Sequence, residues 1–425
     1  MNVFFSTMRS SFFIALRYLL GRAKEGGRYL RGAAIGIALS LVPIIITLIV
    51  SDGMIRGISD RYIELGTGHI QIYDYFGAPL EDSAKDEIGR LDKVRGVWRE
   101  KQGLGIILGA HGRTGAAVRA VETGFWQDRG SAQFLETIEG SSVIAGDRQV
   151  LLGLSLARNL NVKTGDTIRI MTVRSGEEGQ TLPRLTLFTV AGIVSSGYRE
   201  LDALWCIISY EAGVELLSGD LYRSFLMVKC DDPYTQADEV SYAIAGSLGP
   251  GFGVFTWKEL QTSLYKSFES TRQMLLFIMA LLVVVAAVNV SSAASMLVIE
   301  RQRDIGVLKA AGASPFFIGI VFLMGAFLTG LAGTVLGTAV ALVLGVNINS
   351  VIRSLEAALS FFASPWGRTV KILDSEYYLE TIPVLLNGAM ILAIGIFTLL
   401  CSCAGSLLPA VRAGKSKPLD IVRRV

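Results

Sequence analysis

Charge is what this sequence has least of. Lys, Arg, Asp and Glu make up 18% of its 425 residues, while apolar residues reach 51%; soluble globular chains carry roughly a quarter charged residues. The mean hydropathy of +0.48 is nevertheless too low for a chain buried in lipid throughout. Long apolar spans must alternate with a sizeable soluble domain. A net charge of +3 offers no basic field for nucleic acid. Four cysteines are too few for a disulfide framework. Cys206 and Cys230 are the pair an oxidising compartment could bridge, the alternative being four ordinary thiols; Cys401 and Cys403 lie in an apolar run. Two histidines, His69 and His111, make no metal-ligand set, and no nucleophile–base pattern stands out, so no catalytic residue, metal or cofactor is expected. A phosphate-binding loop is missing too. Gly414, Lys415 and Ser416 imitate the end of one, but Pro409 stands where its first glycine belongs, and no strand precedes it. Any ATP that drives this chain must be hydrolysed by another.

What is present is four runs long enough to cross a hydrocarbon core, which takes about 20 apolar residues in a helix. They are expected at 32–51, 273–299, 315–346 and 381–411. A cleaved signal peptide fits the first run poorly: its basic leader is long, and no small-residue cleavage site follows Val50. Orientation follows from Lys and Arg near the span ends. The leader, 1–31, holds six of them against Glu25, and the tail, 412–425, holds five against Asp420. Both termini are therefore read as cytoplasmic, as is the loop at 300–314, while 52–272 and 347–380 lie outside. The fold class is a membrane α-helical protein with four transmembrane helices and a large α+β extracytoplasmic domain between the first and second. Phe12, Phe13, Leu16, Leu19 and Leu20 make the leader an amphipathic helix on the inner surface. Gly32, Gly36 and Ser40, and again Gly333 and Gly337, form small-residue rows that let helices approach closely.

In the outside domain, 69–73, 167–171 and 185–194 read as strands and 151–160 as a helix, with a turn at 162–166. Between two of those strands, 174–184 is rich in Gly and charge and carries Pro183. It reads as a long β-hairpin arm, the plainer alternative being an inert solvated loop.

The densest pattern is in the cytoplasmic loop. Residues 299–315 alternate charged and apolar side chains at helical spacing, with Glu300, Arg301 and Arg303 among the first and Ile305 and Leu308 on one side; Gly312 and Pro315 can stop the helix. With Gly306, this segment resembles the coupling helix of the MacB/FtsX-type ABC permeases, roughly E-R-x-R-[ED]-I-G-[VI]-L-[KR]-A-x-G-A. The run 153–166 is similar to the G-x-x-L-A-x-x-L-x-[VL]-x-x-G-D stretch of their outside domains, and 408–422 to their P-A-x-R-A ending. The leader motif at 15–22 resembles the start of the lipoprotein-releasing branch.

The resemblance implies a permease that works with a cytoplasmic ABC ATPase homodimer and a second permease copy or paralogue. Such a complex extracts acylated lipoproteins from the bacterial inner (cytoplasmic) membrane and passes them to a periplasmic carrier, in contact with membrane lipid throughout. It assigns Glu300, Arg301, Arg303, Ile305, Gly306 and Leu308 to ATPase coupling. It makes the arm, through Arg174, Leu182, Pro183 and Arg184, the contact for the carrier. Two alternatives stay open: a MacB-like efflux or stress-response permease, and an FtsX-like regulator of cell-wall hydrolases that transports nothing.

Overall fold

The computed structural model describes residue 13 and residues 27–75, 82–110, 112–175, 181–219, 222–363 and 381–415. The expected leader helix, His111, the end of the tail motif and much of the second outside loop fall outside these residues. The chain divides into two compact units, one made of residues 1–53, 268–355 and 382–425 and the other of residues 54–267 and 356–381.

The first long helix, α1 (Gly27–Arg61), contains Pro43 and passes into a π-helical stretch, Tyr62–Thr67. Gly68 ends it at φ +69°, where a Cβ would collide with Met227. The chain then builds the α+β unit: β1 (Ile70–Asp74), α2 (Asp82–Gly89), β2 (Val94–Leu108), β3 (Arg113–Val121), α3 (Gly124–Gln127), α4 (Arg129–Phe134), β4 (Glu136–Gly140), β5 (Gln149–Gly153), α5 (Leu154–Leu160), β6 (Thr167–Ser175), β7 (Thr181–Ser195), α6 (Arg199–Leu204), β8 (Trp205–Ser209), α7 (Tyr210–Leu216), β9 (Arg223–Cys230), α8 (Ala237–Leu248), β10 (Phe252–Thr256) and α9 (Trp257–Leu260).

Its ten strands follow the order β10-β1-β9-β2-β3-β8-β5-β7-β4, with β6 bridging β2 and β7. That bridge closes β2, β3, β8, β5, β7 and β6 into a ring, because β2 pairs both β3 and β6. The alternate residues that point inside, among them Ile107, Val118, Val150, Ile168, Phe188 and Ile208, form one apolar core. Ile70, Ile72, Val228 and Ile244 form a second core where β1 and β9 meet α8. Residues 151–153, expected in a helix, belong instead to β5, where Leu152 fills the ring and Leu151 packs on the opposite face with Trp126 and Trp205, and the helix starts at Leu154. Cys206 lies in the first core and Cys230 in the second, and both are free. They form no bridge.

The chain continues through α10 (Thr262–Glu300), α11 (Gln302–Ala310), α12 (Pro315–Val346), α13 (Ile348–Ala363) and α14 (Gly388–Lys415). α1, α10, α12 and α14 are long and apolar enough to cross a membrane. α12 lies against α1 through its glycines: a Cβ on Gly333 would come 2.7 Å from the Ala34 carbonyl oxygen, and one on Gly337 would come 2.9 Å from Ala38. Gly32 and Gly36, the other small-residue row, meet no neighbour within 4 Å. They lie beside exposed Ile35 and Leu39 on a free face of α1.

Candidate functional site

Two segments combine exposed side chains with a firmly held base. The first is α11. α10 stops at Glu300, and Arg301 leaves helical geometry before α11 begins. Ile305 is 1% exposed and packs among Leu30, Leu297, Ile318, Phe322 and Ala413. Lys309 Nζ donates to the Gly414 carbonyl at 2.8 Å, tying α11 to the end of α14, and Arg301 pairs with Asp304 at 3.0 Å. The helix closes with Ala313 N–H donating to Leu308 O at 2.9 Å and Gly312 at φ +92°, a left-handed cap that glycine adopts without strain. Ser314 then caps α12 by accepting from Phe317 N–H at 3.2 Å, with Pro315 in its first turn.

This arrangement separates Ile305 from Leu308, which their spacing places together on an outward face. Ile305 anchors α11 to the chain's own helices, and Leu308 is half-buried. Glu300, Arg303 and Val307 remain exposed, Val307 at 67%. Val307 is the residue that the sequence alone does not single out. Its step of four from Arg303 puts those two on one face of α11; Glu300 belongs to α10.

The second segment is the arm. β6 and β7 pair from Thr167↔Thr189 out to Ser175↔Thr181. The connection is thus shorter than the expected 174–184, because strand pairing continues into that stretch; 176–180 lie outside the described residues. Leu182 is 56% exposed, Pro183 lies opposite Val173 and Arg174 opposite Leu182. Two ties fix the root. Val173 N–H donates to Tyr222 Oη at 2.8 Å, and Arg184 donates to both the carbonyl and the carboxylate of Glu215 in α7. Arg184, expected to steer a partner, is already engaged; Arg174 is exposed. Beside the root, the outer face of the ring carries exposed Leu104, Ile106, Val173, Leu185 and Leu187.

Within the α+β unit the π-helical stretch is locked by charge. Glu64 accepts from His69 Nε2 at 3.1 Å and Arg95 Nη2 at 2.9 Å, with Lys229 Nζ 3.1 Å away. Burial alone would raise its pKa, but the His69 hydrogen bond and the Lys229 and Arg95 charges overcome this and hold it at about 2. His69 is fully buried; burial pushes its pKa down, and Cys230 N–H donates to Nδ1 at 2.9 Å, so Nε2 carries the proton. Arg119 forms a two-pronged pair with Glu100 at 2.7 and 2.9 Å and caps the Leu65 and Gly66 carbonyls at 2.6 and 3.1 Å. Lys229 also bonds Ser131. The pair imitates a serine–lysine catalytic dyad, but Glu64 and Asp128 hold the ammonium, and both residues are buried. Its role is to fasten the end of α1 into the α+β unit.

Comparison with known proteins agrees with this layout. Residues 32–245 match the MacB-like periplasmic core domain family, and residues 276–418 match the FtsX-like permease C-terminal family. The lipoprotein-releasing system transmembrane protein LolC of Xylella fastidiosa (strain 9a5c) is 26% identical over 417 residues, covering 96% of this chain and 98% of that one. LolC of Neisseria meningitidis serogroup B is 24% identical, with 96% and 98% covered. LolE of Haemophilus influenzae is 22% identical, with 98% and 99% covered. With both family matches present and similarity along nearly its whole length, the chain belongs to the MacB/FtsX-type ABC transporter permeases.

Proposed function

We propose that this chain is the permease subunit of an ABC-type lipoprotein-releasing complex of the bacterial inner membrane, with both termini cytoplasmic. A separate ATPase homodimer hydrolyses ATP, and a second permease copy or paralogue completes the membrane part. Together they lift acylated lipoproteins out of the bilayer and hand them to a soluble periplasmic carrier. An energy source is required, because each buried CH₂ holds a lipid anchor by about 0.8 kcal/mol, so several chains do not leave unaided.

The observation that carries the reading is the arm: a two-stranded hairpin, locked at its root by Tyr222 and Glu215, with Leu182 exposed. A rigid, partly apolar projection on the α+β unit is what a soluble carrier of apolar cargo needs to dock on, since a pre-ordered surface avoids the entropy cost of fixing a loose loop. The apolar outer face beside the root extends that surface. In the membrane unit, Arg303 and Val307 offer the ATPase a charged and an apolar contact, and Ile305 transmits the push into the helices. The free faces of α1 (Ile35, Leu39) and α10 (Phe277, Leu281, Val285) suit a substrate cavity shared with the second permease.

The test is a photo-crosslinker at position 182 of the full chain, expressed with its ATPase. Capture of a soluble lipoprotein carrier is expected, and replacement of 175–182 by a tight turn should abolish it while the ATPase still co-purifies. No soluble partner at 182, together with undiminished lipoprotein export by the shortened chain, would sink the proposal. At α11, Val307→Asp should release the ATPase without loss of membrane insertion, whereas Ile305→Asp should cost the fold itself.

A further inference from the structure

One residue separates α13 from the span that precedes it. Asn347 ends α12 by donating its side-chain amide to the Val343 carbonyl at 2.9 Å, and it starts α13 by accepting from Ser350 and Val351 N–H at its own carbonyl, each at 2.9 Å. α13 runs for 16 residues, about 24 Å at ~1.5 Å per residue, and it sorts its side chains by face. Ile348, Val351, Ile352, Leu355 and Leu359 recur at helical spacing along one stripe, and Asn349, Arg353, Glu356 and Ser360 recur along another. The apolar stripe is covered at its base and open beyond it. Ile348 is 6% exposed, whereas Leu355 is 51% and Leu359 39% exposed.

The place of that base says what covers the rest. Asp52 and Arg272, the first charges beyond the uncharged runs 32–51 and 273–299, pair at 3.2 Å. The next residue, Gly53, lies flush against the Pro383 carbonyl with no room for a Cβ. Ile382, beside that proline, exchanges two hydrogen bonds of 3.0 Å with the Asn349 side chain in the first turn of α13. Charge is excluded from hydrocarbon, so this set of contacts marks the edge of the bilayer, and α13 begins at that edge. An amphipathic helix there has acyl chains on one side and water on the other. Standing upright, it would leave Leu355 and Leu359 in water; lying flat, it buries them. Its two charged residues, Arg353 and Glu356, cancel, so apolar burial rather than attraction to anionic headgroups must hold it down. We propose that α13 lies in the membrane–water interface, with Ile352, Leu355 and Leu359 in the leaflet at that end of the bundle. The inference rests on the reading that α12 spans the bilayer and holds whatever the complex exports.

The experiment places the full chain with its ATPase in nanodiscs of phosphatidylcholine, a lipid without net charge. Cys401 and Cys403 are replaced by alanine, while Cys206 and Cys230, fully buried, stay. A nitroxide is attached through Leu355→Cys or Leu359→Cys on the stripe, Arg353→Cys or Ala357→Cys off it, and Val340→Cys in α12, which is 49% exposed. Collision with oxygen, which concentrates in hydrocarbon, is compared with collision with a nickel chelate, which stays in water. The oxygen-to-nickel ratio should be severalfold higher at 355 and 359 than at 353 and 357, and highest at 340. With the label at 355, Leu359→Asp should lower the ratio, and with the label at 340 it should leave the ratio unchanged. A hydrocarbon signal at 340 with a water signal at 355 and 359 would overturn the interfacial helix alone. A water signal at 340 would overturn the span and the helix with it. Shielding of 355 and 359 from both reagents would show that protein covers the stripe, through a second copy if the nitroxides of two chains then couple, and would also overturn the proposal.

Discussion

The two units bury polarity in opposite ways. The α+β unit takes whole charges inside: Lys229 and Glu100 are fully buried, Arg119 is 2% exposed, and each finds a partner of opposite sign. Among the described residues of the membrane unit the buried polar ones are Thr and Ser. Thr329, Thr398 and Ser406 satisfy their hydroxyls on carbonyls of their own helix, four residues back. The difference follows from the solvent each unit leaves. A domain folding in water can exchange hydration for a fixed ion pair if geometry and secondary hydrogen bonds compensate. A helix in hydrocarbon has no water to exchange and must carry its own acceptor. Close helix contact there comes largely from glycine, with Arg272 of α10 also paired to Asp52 of α1 at 3.2 Å.

The sharpest way to break this contrast is at Arg119. Arg119→Met leaves Glu100 buried with no counter-charge and the Leu65 and Gly66 carbonyls without their donor. Removing one partner of such a pair costs about 3–5 kcal/mol. The α+β unit of the variant should therefore be cleaved by protease at temperatures where the parent resists. Adding Glu100→Gln should recover part of the loss. If the single variant is as resistant as the parent, the buried charges do not hold the end of α1.

In the membrane unit the matching blow is steric. Gly337→Leu places a side chain where even a Cβ would lie 2.9 Å from the Ala38 backbone, and overpacking costs about 1–3 kcal/mol or more. Lower yield and a lower melting temperature in detergent are expected. Gly36→Leu, whose Cβ would meet nothing within 4 Å, should leave both unchanged.

Much of this is readable from residues alone. The four apolar helices stand out because uncharged runs of that length match the thickness of a hydrocarbon core, and the Gly312–Pro315 stop carries its own backbone chemistry. The ring of β2, β3, β8, β5, β7 and β6 is not readable, since it rests on a long-range pairing of β2 with β6 that leaves no local signal. α13 is concealed although Ile348, Ile352, Leu355 and Leu359 recur at helical spacing, because the acidic residues that follow make the whole segment look like a solvated loop. The arm is legible as a hairpin, but the engagement of Arg184 with Glu215 is not. The inward turn of Ile305 is hidden for a related reason: periodicity identifies a face, and only packing says which way it points.

Acid should separate the units more gently. His69 has a pKa below its ordinary 6.5 when folded, and Glu64 is held at about 2 rather than 4.5. For both, the unfolded chain binds the proton more readily, so stability is complete above about pH 6.5. It declines as pH falls, first through His69 and then, below about 4.5, through Glu64. Trp98, Trp126, Trp205 and Trp257 all lie in the α+β unit, so tryptophan fluorescence during thermal unfolding reports on it. Its midpoint should fall between pH 6.5 and 4.5. His69→Gln, whose amide can donate to Glu64 and accept from Cys230, should flatten that slope; an unchanged slope would remove His69 from the account.

The smallest expected effect is also the most direct test of the comparison. Ser131→Ala and Thr398→Val each delete one buried hydroxyl, in the α+β unit and in a membrane helix respectively. Ser131 serves a fully buried ammonium, so its loss leaves Lys229 one bond short; an unmade hydrogen bond of this kind costs about 1–3 kcal/mol. Thr398 serves only the Ile394 carbonyl of its own helix, which keeps its backbone bond without the hydroxyl. Valine matches the threonine in shape, and side-chain hydrogen bonds between membrane helices average only about 0.6 kcal/mol, so the change should be smaller still. Measured as shifts in thermal midpoint of the purified complex, the first should be clearly resolved and the second should lie within error. Equal shifts would show that the membrane unit relies on its hydroxyls as heavily as the α+β unit relies on its charges, and the contrast between the two would fail.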